Sequence, residues 1–113
     1  MKKIIAFDLD LTLCKGDSPY KKSIPNQKRI DMVNQLYDDG YHIIIFTGRG
    51  MGTFGNAAKA KSVYESFTKK QLADWGIKYH ELVMGKPHYD ILIDDKVLNI
   101  KDVKKKGDIT KLL

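Results

Sequence analysis

Apolar residues along the chain follow two kinds of pattern. Runs rich in β-branched and aromatic side chains at residues 2–7, 41–46, 78–83 and 89–93 predict four β-strands. Apolar positions with helical spacing predict one helix between Pro25 and Gly40 and a longer one from about Ala57 to Trp75. The tail from Lys96 fits either a strand or a helix. Strands that alternate with helices predict an α/β fold, with a mainly parallel sheet covered by helices on both faces.

The bulk composition agrees with one folded domain over residues 1–113. The chain has 42% hydrophobic and 30% charged residues, inside the range of globular proteins. The apolar runs are too short to span a membrane, and the start of the chain lacks the h-region of a signal peptide. Since the lone Cys14 excludes an intramolecular disulfide, we expect a soluble protein of the cytoplasm.

The formal net charge of +6 raises the question of nucleic acid binding, because basic surfaces attract phosphates. The lysines are scattered, except for Lys104, Lys105 and Lys106, and no aromatic residues lie between them to stack on unpaired bases. This distribution favours an ordinary solvated surface over a nucleic acid interface.

Polar side chains follow three of the predicted strands where each strand ends. Asp8 and Asp10 follow the first strand, Thr47 the second and Asp94 the fourth. Because ligands bind beyond the carboxyl ends of parallel strands, we expect these residues to form one site. Carboxylates are the ligands that Mg²⁺ prefers, so Asp8, Asp10 and Asp94 are the predicted metal ligands.

The same residues fit the chemistry of phosphoryl transfer. Asp8 would attack phosphorus, and Asp10, two residues along an extended chain and so on the same side, would act as acid and base. The Thr47 hydroxyl and the backbone amides of the following loop, beginning at Gly48, would hold phosphoryl oxygens. Lys86 would supply positive charge opposite the acids.

These motifs resemble those of haloacid dehalogenase superfamily phosphatases. The resemblance covers residues 4–95 and includes D-x-D-x-T at Asp8, Asp10 and Thr12, together with Thr47, Lys86 and the acidic pair Asp94-Asp95 in the family's order. It implies a Rossmann-like fold, a magnesium cofactor and an aspartyl-phosphate intermediate. No segment is long enough for a cap domain, so the resemblance implies an open site that a bulky substrate or a neighbouring copy of the chain could cover.

A narrower resemblance points to small capsule-associated phosphatases. It rests on Thr-Gly-Arg-Gly-Met from Thr47, on Asn56 and on Gly-Lys-Pro close to the acidic pair. It implies a small phosphorylated substrate, such as a sugar phosphate in surface-polysaccharide synthesis. The predicted substrate-binding residues are Gly48, Arg49, Asn56 and Asp95, although Asn56 would serve equally well as a helix cap.

Two positions depart from the family pattern. Leu11 stands where the family often has glycine, so the turn after Asp8 is expected to be aimed differently. Lys86 precedes Asp94 by only eight positions and should reach the site from a loop. Two other functions stay open: removal of a 3′-phosphate from nucleic acid, and phosphate binding without catalysis, against which the Asp8/Asp10 pair argues.

Overall fold

A parallel three-stranded sheet forms the centre of the computed structural model, which describes residues 3–16 and 19–113. Lys2, part of the predicted first strand, lies outside these residues. The strands are β1 (Ile4–Asp8), β2 (Cys14–Lys15), β3 (Ile24–Pro25), β4 (His42–Thr47) and β5 (Glu81–Met84). The α-helices are α1 (Gln27–Asp38), α2 (Met51–Phe54), α3 (Ala57–Asp74) and α4 (Gly107–Thr110), and 3-10 turns cover Tyr20–Lys22 and Ile100–Asp102.

The order β1-β4-β5 and the register align the carboxyl ends of the three strands. Asp8 pairs with Phe46, and the next residue of β4, Thr47, pairs with Met84 of β5. The segments that follow β1, β4 and β5 therefore all begin at the same end of the sheet, where the three strands have their carboxyl ends. This confirms the predicted α/β fold with a mainly parallel sheet.

Both predicted helices form, and each begins at an asparagine. Asn26 accepts a hydrogen bond from the Arg29 amide at the start of α1, and Asn56 accepts one from the Lys59 amide at the start of α3. Such a cap satisfies an amide that has no partner within the helix. The tail, for which the sequence left strand and helix open, forms a 3-10 turn and the short α4.

The hydrophobic core lies against one face of the sheet. Strands β1 and β4 alternate buried with more exposed residues, so that Ile5, Phe7, Ile43 and Ile45 point to the same side. Crossovers between parallel strands are almost always right-handed, and two that run in the same direction along the sheet then place α1 and α3 on one face. The cluster around these strands is completed by side chains from α1, α3 and the tail: Ile30, Met32, Val33, Leu36, Leu72, Ile77 and Ile109.

One sequence prediction fails after β5. Residues 89–93, predicted as a fourth strand, form no strand, and Ile91 and Ile93 are 77% and 90% exposed. The physical reason is that the chain after Met84 does not return along the sheet to supply another strand.

Among the described residues, no helix has the length and hydropathy that crossing a membrane requires.

Candidate active site

Asp8, the last residue of β1, has both carboxylate oxygens held by neighbours. Its Oδ1 lies 3.2 Å from Nζ of Lys86, and its Oδ2 accepts a hydrogen bond of 3.1 Å from the Thr12 hydroxyl. Thr12 comes close because the chain turns tightly after Leu9, whose carbonyl accepts bonds from the Thr12 and Leu13 amides. Asp8 is therefore oriented from two sides and stays about one third exposed, at 31% of its side chain.

Asp10 is held by Arg49, which follows the end of β4. The guanidinium donates from Nε and Nη2 to the two carboxylate oxygens at 3.0 Å each. Arg49 is 1% exposed; its Nη1 donates to the Thr68 hydroxyl at 3.3 Å, and its guanidinium lies 4.7 Å from the centre of the Tyr20 ring. Such a two-pronged contact fixes the orientation of a carboxylate more strongly than a single hydrogen bond.

This position differs from the one the sequence suggested for Arg49. The prediction placed Arg49 against the substrate, whereas its guanidinium is buried below Asp10 and its donors point to protein atoms. The structure therefore makes Arg49 a residue that positions Asp10. Nothing in the sequence pattern distinguished this arginine from a loop residue that faces solvent.

The loop after β4 approaches the loop after β5 closely. A Cβ atom on Gly48 would lie 2.9 Å from the carbonyl oxygen of Lys86, so any larger residue would push the two loops apart. The Lys86 amide donates to the Thr47 carbonyl at 3.0 Å, and the buried Thr47 hydroxyl accepts from the Arg49 amide at 3.1 Å. These contacts set the positions of Lys86 and Arg49 relative to each other.

Lys86 reaches the site from a loop, as the sequence predicted. Burial acts to lower the pKa of its ammonium group, but hydrogen bonding to Tyr89 and the charge and hydrogen bond of Asp8 outweigh it, so the pKa is raised. The lysine is therefore positively charged at neutral pH, beside the carboxylate that it contacts.

The remaining predicted residues lie elsewhere. Asp94 is fully exposed, and a hydrogen bond with Asp95, followed by the amides of Lys96 and Asp95, lowers the pKa of its carboxyl. Within residues 3–16 and 19–113, no group of three or more His, Cys, Asp or Glu side chains could hold a metal ion. Asp94 thus does not join Asp8 and Asp10 within one chain. Asn56 caps α3 through its side-chain oxygen.

Comparison with known proteins agrees with this geometry. The sequence model of haloacid dehalogenase-like hydrolases matches residues 5–70, more than half of the chain. The chain belongs to this family. A crystal structure of a target protein from Vibrio cholerae is similar to this hydrolase, with a TM-score of 0.85 and 27% identity over 97% of this chain and 95% of that one. No curated protein matches the hydrolase.

Cys14 is a neighbour of the site that the sequence left as a loop or core residue. Its thiol lies 3.4 Å from Oδ1 of Asp10 and is buried in the hydrolase. Burial first, and then the Asp10 carboxylate, raises the pKa of the thiol to about 12. A thiol with such a pKa is protonated at neutral pH, which excludes it as a nucleophile under those conditions.

Tyr20 is a second neighbour of the site that the sequence did not predict. Its hydroxyl accepts from the Gly50 amide at 3.2 Å, its carbonyl accepts from the Gln71 side chain at 2.9 Å, and its ring packs edge-to-face on Tyr64. The tyrosine therefore joins the segment after β1 to the loop after β4 and to α3. No short sequence motif predicts this role, because the partners of Tyr20 come from distant parts of the sequence.

Proposed function

We propose that this hydrolase cleaves phosphomonoesters through an aspartyl-phosphate formed on Asp8. The observation that carries the proposal is the position of Asp8 at the end of β1, with one oxygen on Lys86 at 3.2 Å and the other on Thr12 at 3.1 Å. A carboxylate held in this way is oriented for attack before substrate arrives, which removes part of the entropic cost of reaction.

The charges of the four central residues support a phosphorylated substrate. Asp8 and Asp10 carry two negative charges, and Lys86 and Arg49 carry two positive charges, in contacts of about 3 Å. This set is neutral by itself. A phosphoryl dianion that enters together with a divalent cation keeps the sum at zero, whereas a dianion alone would face two carboxylates without compensation.

The proposed reaction has two steps. Asp8 attacks phosphorus and the bond to the leaving oxygen breaks, while Asp10, which has taken up a proton from solvent as the substrate binds, passes that proton to the leaving oxygen. In the second step Asp10 takes a proton from a water molecule, the water oxygen attacks phosphorus, and the bond to Asp8 breaks to release phosphate. The contact with Arg49 keeps the Asp10 carboxylate in one orientation during both steps.

A magnesium ion fits the donors present. Mg²⁺ is commonly bound by one or two carboxylates together with phosphate oxygens and water, and the side chains of Asp8 and Asp10 are both partly open to solvent. Asp8 and Asp10 would hold the ion, and Asp94, the third predicted ligand, does not lie with them in the described part of a single chain. When bound, the ion would neutralise charge on the phosphoryl oxygens.

We propose a small phosphorylated metabolite as substrate, such as a sugar phosphate in surface-polysaccharide synthesis, and the cytoplasm as the compartment. The support is the narrow sequence resemblance and the single, buried cysteine. The net charge of +6 supports a second candidate, a 3′-phosphorylated oligonucleotide. A panel that contains both substrate classes, assayed at low and high salt, distinguishes them, since only the oligonucleotide reaction should depend steeply on salt.

The test of the proposed chemistry is phosphate release from an aryl phosphate with Mg²⁺. Asp8→Asn keeps the shape of the side chain but removes its nucleophilic charge, so turnover should fall by at least about 10³-fold. Asp38→Asn, at an exposed end of α1, is the matched control and should retain wild-type turnover. Full activity of Asp8→Asn would refute the aspartyl-phosphate route, and a phosphate-binding protein without catalysis would release no phosphate even as wild type.

A further inference from the structure

The segment from Pro87 to Asn99, here named the arm, leaves the hydrolase fold and then returns to it. Before the arm, the Lys86 amide is bonded to the Thr47 carbonyl. After it, Ile100 and Val103 pack on the core, and Nζ of Lys106 lies 2.7 Å from Asp39. The arm is therefore anchored at both ends.

Between these anchors the arm has few partners of its own. Residues 87–98 make no hydrogen bond from backbone to backbone within the described part of the chain. Its apolar residues are exposed, with Ile93 at 90% and Ile91 at 77%. Burying such side chains removes apolar surface from water, so a covered arm is favoured over an exposed one. The other exposed apolar residues of the arm are Tyr89, Leu92, Val97 and Leu98.

The outer edge of β1 is free to pair with another strand. In the order β1-β4-β5, strand β1 pairs only with β4 in the described residues, so its other edge has no strand neighbour. The backbone groups of residues 4–8 make no bond to the loops that the structure describes. The arm carries three apolar residues, Ile91–Ile93, directly before Asp94, as β1 carries the apolar residues 5–7 directly before Asp8. A strand of this kind suits an open edge of a parallel sheet.

The arm cannot fill that edge in its own chain. A strand that pairs with the free edge of β1 would lie three strand spacings, about 14 Å, from β5. To bring Asp94 level with Asp8, Asp90 has to lie level with Ile4, about 16 Å back along the strands from the level of Met84. The straight path between Met84 and Asp90 would then be about 22 Å and would pass through the sheet itself.

The connection available is too short for this path. Six residues span at most about 20–22 Å when fully extended, and a route around the sheet is longer than the straight line. Gly85, with φ of 95°, lies in a turn, which shortens the distance that this connection can span. Parallel strands generally need a crossover of a dozen or more residues, whereas only residues 85–89 lie between Met84 and Asp90.

We propose that two copies of the hydrolase exchange their arms. The arm of each copy pairs in parallel with the free edge of β1 of the other, which places the partner's Asp94 beside Asp8 and Asp10. The same contact is made twice in a symmetric pair, so both edges and both arms are used.

The role given to the partner's Asp94 rests on the proposed function, but the exchange of arms can be tested without it. In a Cys14→Ser background, Ile4→Cys and Asp90→Cys should form a disulfide on mild oxidation, because exchange brings these positions level on neighbouring strands. A non-reducing gel should then show a band of twice the chain mass, and a reducing gel should return it to the mass of one chain. The matched control, Ile4→Cys with Lys70→Cys, should stay monomeric. A linked monomer, or no link at all, would overturn the exchange.

Activity gives the second test. Asp8→Asn and Asp94→Asn should each be inactive alone. Co-expressed with different tags in equal amounts, they should recover about a quarter of wild-type activity per chain, because half of the pairs are mixed and each mixed pair has one intact site. No recovery, with an active wild type, would overturn the shared site. An inactive wild type would overturn the proposed function, while the disulfide result would still decide the exchange.

Discussion

Nζ of Lys86 lies 3.2 Å from Oδ1 of Asp8, although the two residues belong to the two outer strands of the sheet: Lys86 follows β5 and Asp8 ends β1. The parallel register brings them together, since Asp8 and Met84 lie at nearly the same level of the sheet. A positive charge at this place holds the Asp8 carboxylate and, in the proposed function, counters the charge of an approaching phosphoryl group.

Lys86→Met should therefore lower phosphate release by about 10²–10³-fold, the range expected when a fixed charge is lost from a transition state. Lys104→Met, at an exposed position of the tail, is the matched control and should leave activity unchanged. Steady-state turnover with Mg²⁺ measures both. Equal activity of the two variants would mean that the charge of Lys86 does not act on the reaction.

Arg49→Lys should separate the positioning of Asp10 from substrate binding. Lysine keeps the charge but loses the two-pronged contact of 3.0 Å bonds with Asp10. We expect kcat to fall about tenfold with little change in KM, and the free energy of unfolding in urea to fall by about 2 kcal/mol, the worth of a charge-assisted hydrogen bond.

The other arginine of the sequence supplies the control for this prediction. The Arg29 side chain donates a hydrogen bond of 3.1 Å to the carbonyl of Thr12 and is only half-buried. Arg29→Lys should change stability and kcat less than Arg49→Lys does. A rise in KM as the main effect of Arg49→Lys would instead favour direct contact between Arg49 and the substrate.

Leu11 has a backbone conformation that suits glycine. Its φ of 67° is the one positive value among the described residues that are not glycine, and the side chain is 64% exposed. The left-handed conformation costs an L-residue about 1–2 kcal/mol. Leu11→Gly should therefore be about 1 kcal/mol more stable than Leu11→Ala in urea unfolding. The alanine variant controls for the lost side chain, and equal stabilities would show that the turn relaxes.

Cys14 should resist alkylation in the folded protein. With a pKa of about 12, only about one thiol in 10⁴ is ionised at pH 8, whereas an unfolded cysteine near pKa 8.5 is ionised to about a quarter. Iodoacetamide at pH 8 should label the folded protein very slowly and the urea-unfolded protein within minutes. Asp10→Asn removes the second cause of the raised pKa and should speed labelling of the folded form. Rapid labelling of the native wild type would contradict the prediction.

The central strands and helices could be predicted because their signals are local. β4 is an apolar run that ends at Thr47, and α1 begins at a capping asparagine, so neighbouring residues carry the information. The same holds for the placement of Asp8, Asp10, Thr47 and Lys86 at one edge of the sheet. Parallel pairing alone brings these strand ends together, whatever the details of packing.

The parts that could not be predicted depend on distant partners. Arg49 meets Asp10 and Thr68 only after the chain has folded, and no local pattern says that its side chain turns inward. The run 89–93 has the composition of a strand, but composition cannot tell whether its neighbouring strand lies in the same chain. The connection before it is too short for the run to pair with β1 of its own chain. This follows only once the register of the sheet shows how far apart the two positions lie.

The pairing of β1 with β4 also determines when activity returns as the protein refolds. Asp8 and Asp10 belong to the first of these strands, while Thr47 and Arg49 follow from the second. The intervening chain must close into a loop before any of their contacts form, and closing such a loop is an entropic barrier that local helix formation does not face. Helical signal should accordingly precede catalytic activity in time. The delay contains both the time in which these two strands find each other and the concentration-dependent time in which two copies exchange arms.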